Sequence, residues 1–281
     1  MSPARQLGPR PLVLFRVAAG PRLGFGHLVR CSRLAAALHV PFKVVLRGPA
    51  RAHAVAVDLG ATVETVSPAA LRSGAYDLLV VDDPREATAG PWLRAARRAG
   101  VLSASIHDLG LGALGADMMV DGTVGAPHRP APSGRWHAGP AFAILSEAIP
   151  AWRRRRQQRR RHGPSRVLIA LGGGPRPGAL WRVTVALRRS MPNASIEVAP
   201  GLRPLPAAWV PRFRRLGAEL VPAREFLARL ADCDIAVLAG GVSLYEAAAL
   251  GVPVVAVAVV PGQAPTVRAF GQAGWAVDGG R

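Results

Sequence analysis

Short β-branched apolar runs alternate with helix-length stretches along most of the chain, and this alternation restricts the fold more than any other feature. PLVLFRV (11–17) reads as a strand, followed by a helix from about Gly26 to His39. FKVVLR (42–47), a helix near 51–59, ATVETV (61–66) and DLLVVDD (77–83) come next. A helix near 90–99, VLSASIHD (101–108) and a last short strand in ADMMVDG (116–122) close this block. Strands alternating with crossover helices predict a parallel sheet with helices on both faces, the α/β class.

Past residue 125 the rhythm stops in GAPHRPAPSGRWHAGP, followed by AFAILSEAIP and AWRRRRQQRRRHGPS. It restarts with RVLIALGGG (166–174), a helix near 178–190, ASIEVAP (194–200), a helix near 207–216, AELVPA (218–223) and a helix near 224–231. DIAVLAGG (234–241), a helix near 242–250, VPVVAVAVV (252–260), a helix near 264–273 and GWAVDGG complete it. The expected division is an N-terminal domain over 1–150, an arginine-rich linker over 151–165 and a C-terminal domain over 166–281. A length of 281 residues suits two domains of ordinary size.

Half of the chain is apolar and 19% is charged, which allows sizeable cores and excludes disorder by composition. The formal charge of +19 invites a nucleic-acid reading, but Lys43 is the only lysine among 36 basic residues, a compositional bias that weakens it. A basic surface favours anionic partners, nucleotides or phospholipid headgroups, so peripheral membrane contact is admitted. The arginine run at 153–161 reads first as a solvated helix or linker. Trp152 is the one aromatic beside it, whereas a single-strand groove needs several to stack bases, so nucleic acid is disfavoured. Cys31 and Cys233 form neither a zinc site nor a disulfide framework. Arg16 interrupts the N-terminal apolar run too early for a signal peptide, and GVPVVAVAVVPG is too short to span a bilayer, so a cytoplasmic protein is expected.

In open parallel sheets ligands gather at the carboxyl ends of the strands. Glycine-rich turns follow three strands: GPRLGFGH, LGGGPRPG and LAGGVSLYE. Their glycines, among them Gly24, Gly26, Gly172, Gly173, Gly240 and Gly241, permit close backbone approach. The helix starts behind them offer free amides and a positive dipole end to a phosphate. GFGHLV does not complete a dinucleotide fingerprint, and no G-K-[ST] of a P-loop exists. With a helix starting after Gly241, Ser243 falls in its first turn and Glu246 one turn on. Glu246 then either complements the helix dipole or accepts hydrogen bonds from ribose, while Ser243 and the glycine amides reach phosphate. Gln263 in VVPGQAP can bond a sugar hydroxyl, and Arg16 at the end of the first strand can meet a phosphate or carboxylate. Asp82–Asp83 and His107–Asp108 lie at strand ends, where aspartates mostly cap the next turn, and Arg30 packs or pairs. His27 follows two glycines at a helix start, where it can cap, pack or face a ligand.

GFGHLVRCSRLAAAL resembles the G-x-G-H-x-x-R-C-x-x-L-A opening of the UDP-sugar hydrolases of pseudaminic acid biosynthesis and their spore-coat polysaccharide relatives. VLIALGGG is similar to the start of their second domain. ADCDIAVLAGGVSLYEAAALGVPVVAVAV resembles the sugar-nucleotide motif they share with the N-acetylglucosaminyltransferase that makes lipid II. With LVVDD, SIHDLG and ADMMVDG, the likeness covers most of residues 11–275. It implies a GT-B-like architecture, two Rossmann-like parallel-sheet domains facing across a cleft that holds a UDP-sugar, with no cofactor and no metal. His27 then activates water, and Arg16, Gly24, Gly26, Gly172, Gly173, Gly240, Gly241, Ser243, Glu246 and Gln263 bind substrate or nucleotide. A helix N-terminus disfavours imidazolium, so His27 is expected to be neutral and free to act as a base.

The chain departs from the resembled pattern at GGGPRPG, which lacks the family's acid, and at Asp83–Pro84 after the VVD strand. It stops at Arg281, soon after Gln263, and reads as a truncated or diverged copy of a fold that continues with a C-terminal helix. The leading expectation is hydrolysis of a UDP-linked deoxy-acetamido sugar, releasing UDP, for surface glycan biosynthesis. The alternatives are transfer of the sugar to an acceptor, lipid-linked or otherwise, and a non-catalytic sugar-nucleotide-binding protein.

Overall fold

The computed structural model describes residues 11–20, 23–126, 135–159, 165–174 and 176–280. They divide into two compact units, Met1–Ile144 and Leu145–Arg281.

In the first unit β1 (Val13–Ala18), β2 (Lys43–Arg47), β3 (Thr62–Val63), β4 (Leu78–Asp82), β5 (Leu102–His107), β6 (Met118–Asp121) and β7 (Arg135–Ala138) form one parallel sheet in the order β3-β2-β1-β4-β5-β6-β7. β1 is buried at all six residues, as a strand covered on both faces should be. The helices are α1 (Gly26–Ala37), α2 (Ala50–Asp58) and α3 (Glu86–Ala99). Leu14, Leu79 and Val81 pack under Trp92, Leu93 and Ala96 of α3, with Met119 alongside. Each large apolar side chain buried there contributes about 1.5–3 kcal/mol. The chain runs outward from β1 through β2 and β3, then returns to place β4 on the other side of β1. The loops leaving β1 and β4 therefore part in opposite directions, the switch point at which such sheets bind ligands.

Three local expectations change in this unit. The segment 61–66 pairs only at Thr62–Val63, at the edge of the sheet. ADMMVDG is not the last strand, because Arg135–Ala138 adds β7 beside β6. α3 begins at Glu86, ahead of Pro91, because Asp83 accepts the Arg85 N–H (3.1 Å) and the Thr88 hydroxyl (2.9 Å) and so anchors the helix start.

In the second unit β8 (Arg166–Ala170), β9 (Ser195–Ala199), β10 (Ala218–Leu220), β11 (Ile235–Ala239), β12 (Val254–Val257) and β13 (Val277–Asp278) form a parallel sheet in the order β10-β9-β8-β11-β12-β13. Its switch point lies between β8 and β11 by the same reasoning. The helices are α4 (Ile149–Gln158), α5 (Pro177–Ser190), α6 (Val210–Arg215), α7 (Phe226–Asp232), α8 (Val242–Leu250) and α9 (Ala264–Gln272). Ile169, Ile196, Leu180 and the fully buried Phe213 centre the core, with Trp181 edge-on to Phe213 at 5.7 Å.

The arginine run, read above as a linker over 151–165, builds α4, which packs on α7 and α8 within the second unit. Arg160 and Arg161 lie outside the described residues. Arg156 is 2% exposed and donates to the carbonyls of Ala231 (2.8 Å), Cys233 (2.5 Å) and Gly251 (3.3 Å). It thus satisfies acceptors left open at the ends of α7 and α8. Arg159, three residues on and hence on the same face, bonds the Asp232 carbonyl and pairs with Asp234 at 3.4 Å. Arg153, Arg154 and Arg155 remain exposed. Among the described residues no helix is long and apolar enough to cross a membrane.

Candidate functional site

At the switch point of the first sheet, the loop after β1 closes on itself. Gly20 and Gly24 exchange backbone hydrogen bonds of 3.0 and 2.6 Å, and Gly24 has φ +80°, a conformation that favours glycine. α1 starts at Gly26 with no side-chain cap, so His27 sits in its first turn with its imidazole free to reach sideways. It reaches β4. His27 Nδ1 lies 2.6 Å from Asp82 Oδ1.

Asp82 is 1% exposed and accepts Arg30 Nε at 2.5 Å and Arg30 Nη2 at 2.6 Å, with the Cys31 thiol at 3.5 Å. Three residues of the GFGHLVRC motif, His27, Arg30 and Cys31, thus converge on one carboxylate contributed from 51–55 residues away. Arg30 also bonds Asp108, beyond β5, at 2.5 Å through Nη1 and 3.0 Å through Nη2. Burial alone would push Asp82 up, but Arg30 and His27 hold it well below the usual carboxylate range. An ionised carboxylate only accepts, so His27 Nδ1 carries a proton, and in the neutral ring the Nε2 lone pair is the one available. Among the described residues nothing bonds Nε2.

The neutral imidazole expected from the helix terminus meets a stronger influence here. Burial does oppose charging of His27, but Asp82 outweighs it, and the histidine pKa is raised above its ordinary value. A contact carboxylate acts at 2.6 Å, whereas the terminal amides act more diffusely. Burial, with Asp82 next to it, lifts the Cys31 thiol well above its usual value, so it stays protonated.

Asp83, next after Asp82, joins a different cluster. Arg47 grips it with two bonds of 2.8 and 2.6 Å, and Arg16 Nη2 lies 3.5 Å away. Successive residues of an extended chain point to opposite faces of the sheet, so Arg16 belongs to a structural ion cluster and not to the His27 group. His107 is likewise separate, 1% exposed and bonded at 2.9 Å to the Ser105 hydroxyl, with burial lowering its pKa. Sequence reasoning weighted His27 and ranked Asp82, Asp108 and Arg30 lower. The signal that could have promoted them is the i, i+3 spacing of His27 and Arg30, which puts both on one helix face.

At the switch point of the second sheet, β8 and β11 end side by side, with Ala170 opposite Leu238. Gly172 has φ +101°, and the loop is braced by the Leu202 N–H on the Gly173 carbonyl at 2.9 Å. Gly240 and Gly241 differ. A Cβ on Gly240 would fall 2.9 Å from Val267 Cγ2 and 3.0 Å from the Gln263 carbonyl, so its smallness serves packing. A Cβ on Gly241 would meet nothing within 4 Å, so its smallness leaves open space at the start of α8. Ser243 is half-buried in the first helical turn, and Glu246 is 1% exposed one turn on. Gln263 accepts the Val259 N–H at 3.1 Å through its side-chain oxygen, leaving its NH2 to donate. Gly240, Gly241 and Gln263 are thereby gathered at one strand end; the Gly240 and Gly241 N–H groups donate to the Val257 (3.3 Å) and Ala239 (2.8 Å) carbonyls, so the first-turn amides of α8 and its dipole are what suits a diphosphate.

No protein-family model matches the chain, and neither does any curated protein sequence. Solved structures do. MurG of Acinetobacter baumannii aligns with TM-score 0.61 at 13% identity, covering 96% of this chain and 86% of that one. UGT2 of Phytolacca americana, complexed with UDP-2-fluoro-glucose and pterostilbene, aligns at 0.59 and 13%, covering 95% and 84%. The glycosyltransferase SsfS6 of Streptomyces sp. SF2575 aligns at 0.53 and 12%, covering 95% and 87%. At such identities the likeness speaks for the fold alone, and it is clear there: the chain has the GT-B-like fold of these enzymes, two Rossmann-like parallel-sheet units.

Proposed function

We propose that the chain is a UDP-sugar-dependent glycosyltransferase in which His27 is the general base and the loops around Gly172 and Gly241 grip the diphosphate. The observation that carries this reading is the 2.6 Å contact between His27 Nδ1 and the ionised Asp82. It fixes the tautomer, presents Nε2 as the proton acceptor and stabilises the imidazolium that forms. An acceptor hydroxyl gives its proton to Nε2 while its oxygen bonds the anomeric carbon. The bond from that carbon to the UDP oxygen breaks, and UDP leaves with the electron pair. Backbone amides in the first turn of α8, which Gly241 leaves open to close approach, and the α8 dipole stabilise the departing charge. Neighbours of the same fold that carry glycosyltransferase names, one of them holding UDP-2-fluoro-glucose, support transfer as the leading chemistry.

Hydrolysis is the second reading, favoured by the convergence of His27, Arg30 and Cys31 of the hydrolase-like motif on Asp82. Water then takes the place of the acceptor hydroxyl in the same step. The test is UDP release from a panel of UDP-sugars, with and without acceptor alcohols, using the native chain and His27→Ala. Transfer predicts release that needs an acceptor, and hydrolysis predicts rapid release in water alone. Release unaffected by His27→Ala would remove the base assignment from both.

A further inference from the structure

We propose that Arg30 is a positioning residue for His27, one that restrains the imidazole from taking a second proton. Three charged groups of the described residues face the ring: Asp82 from β4, Asp108 from beyond β5 and Arg30 from α1 itself. The Cys31 thiol hydrogen-bonds Asp82 and stays protonated, so it adds no charge, while Arg16, Arg47 and Asp83 form their own cluster on the other sheet face. Both carboxylates favour imidazolium. Arg30 is the cation that opposes them.

Its geometry suits that role. Arg30 Nη2 and His27 Nδ1 both donate to Asp82 Oδ1, each at 2.6 Å, and so stand 3.1 Å apart. A charged imidazole would therefore place two cations almost in contact, and a guanidinium cannot give up its proton to relieve this. Side-chain exposures of 13% for Arg30, 11% for His27 and 1% for Asp82 leave little solvent to screen the repulsion. The two bonds to Asp108 hold the guanidinium where it is. Arg30 also divides the charge of Asp82 between two partners, weakening its pull on the histidine. The electrostatic contribution of Arg30 to His27 is in the lowering direction.

The catalytic consequence rests on His27 being the base, but the protonation behaviour does not, and the experiment separates them. The His27 ring is titrated by NMR in the native chain, in Arg30→Met and in Arg30→Lys. The pH profile of kcat/KM for UDP release is measured on the same proteins with UDP-glucose and UDP-N-acetylglucosamine, in water alone and with a panel of acceptor alcohols. Arg30→Met should raise the titration midpoint and move the acidic limb of the profile upward, with about a tenfold loss below the limb per unit moved and a nearly unchanged plateau. Arg30→Lys keeps the charge and should restore the native midpoint, which a purely geometric role would not. If Arg30→Met fails to fold, the Arg30→Met/Asp108→Asn double variant removes the orphaned carboxylate. It should still raise the midpoint, because Arg30 stands nearer the ring than Asp108, 3.1 against 3.9 Å. An unmoved midpoint in the folded variant overturns the inference even if His27→Ala abolishes turnover. A raised midpoint without turnover upholds it and removes the transferase reading instead.

Discussion

Asp82 lies 55 residues beyond His27 in the chain and 2.6 Å from its Nδ1 in space. That pairing gives a pH prediction with a definite sign. The base form of His27 is the neutral one and its pKa is raised, so kcat/KM should climb with pH through a midpoint above the ordinary histidine value of about 6.5. Asp82→Asn should lower the midpoint and move the limb to more acidic pH. It should also reduce the plateau by about 10²–10⁴-fold, since the tautomer is no longer held. A pH profile of both proteins, with NMR titration of the ring, tests the two effects together.

The same pair makes a stability prediction. A raised folded pKa at His27 stabilises the fold fully below the unfolded value of about 6.5, and this is lost as pH rises through the folded value. The depressed pKa of Asp82 contributes above about pH 3.9 and is lost on further acidification. The Tm difference between the native chain and His27→Gln should therefore be larger at about pH 5.5 than at about pH 9. A difference that grows toward alkaline pH would contradict the pairing.

Gly240 and Gly241 should separate folding from binding. Gly240→Ala must displace Val267 or the Gln263 backbone and should cost about 1–3 kcal/mol. Gly241→Ala meets open space and should melt within about 1 kcal/mol of the native chain, yet weaken UDP binding about tenfold. Thermal melts and calorimetry with UDP measure the two. Equal binding by Gly241→Ala would exclude close approach of a phosphate there.

On α4, Arg156→Ala should cost about 2–4 kcal/mol, because it strips hydrogen bonds from the carbonyls of Ala231, Cys233 and Gly251 in a buried setting. The neighbouring exposed Arg154→Ala should change stability by no more than about 0.5 kcal/mol. Denaturant melts of both variants distinguish a helix held by one arginine from a run that merely solvates.

Much of the fold was legible because its cause is local. The strand over 11–17 and the helix over 242–250 announce themselves by an apolar run and by the glycines before and after the helix, and the structure places β1 at Val13–Ala18 and α8 at Val242–Leu250. β7 was not legible. RWHA alternates polar and apolar over only four residues inside a proline- and glycine-rich stretch, too short a signal to stand out, and it becomes a strand by pairing with β6 along the sheet edge. The arginines of α4 were equally opaque, since nothing in a run of identical residues marks Arg156 as the one that turns inward.

Sequence by itself determined the two α/β blocks, the glycine turns at strand ends and His27 at a helix start, because periodicity, turn chemistry and helix boundaries depend on near neighbours in the chain. Tertiary structure alone decided that Asp82 rather than Asp83 meets His27, that Arg30 joins Asp82 to Asp108, and that Arg16 is committed to Asp83. Those outcomes depend on strand order and on which sheet face each side chain occupies, and parallel pairing between β1 and β4 sets both across more than fifty residues of chain.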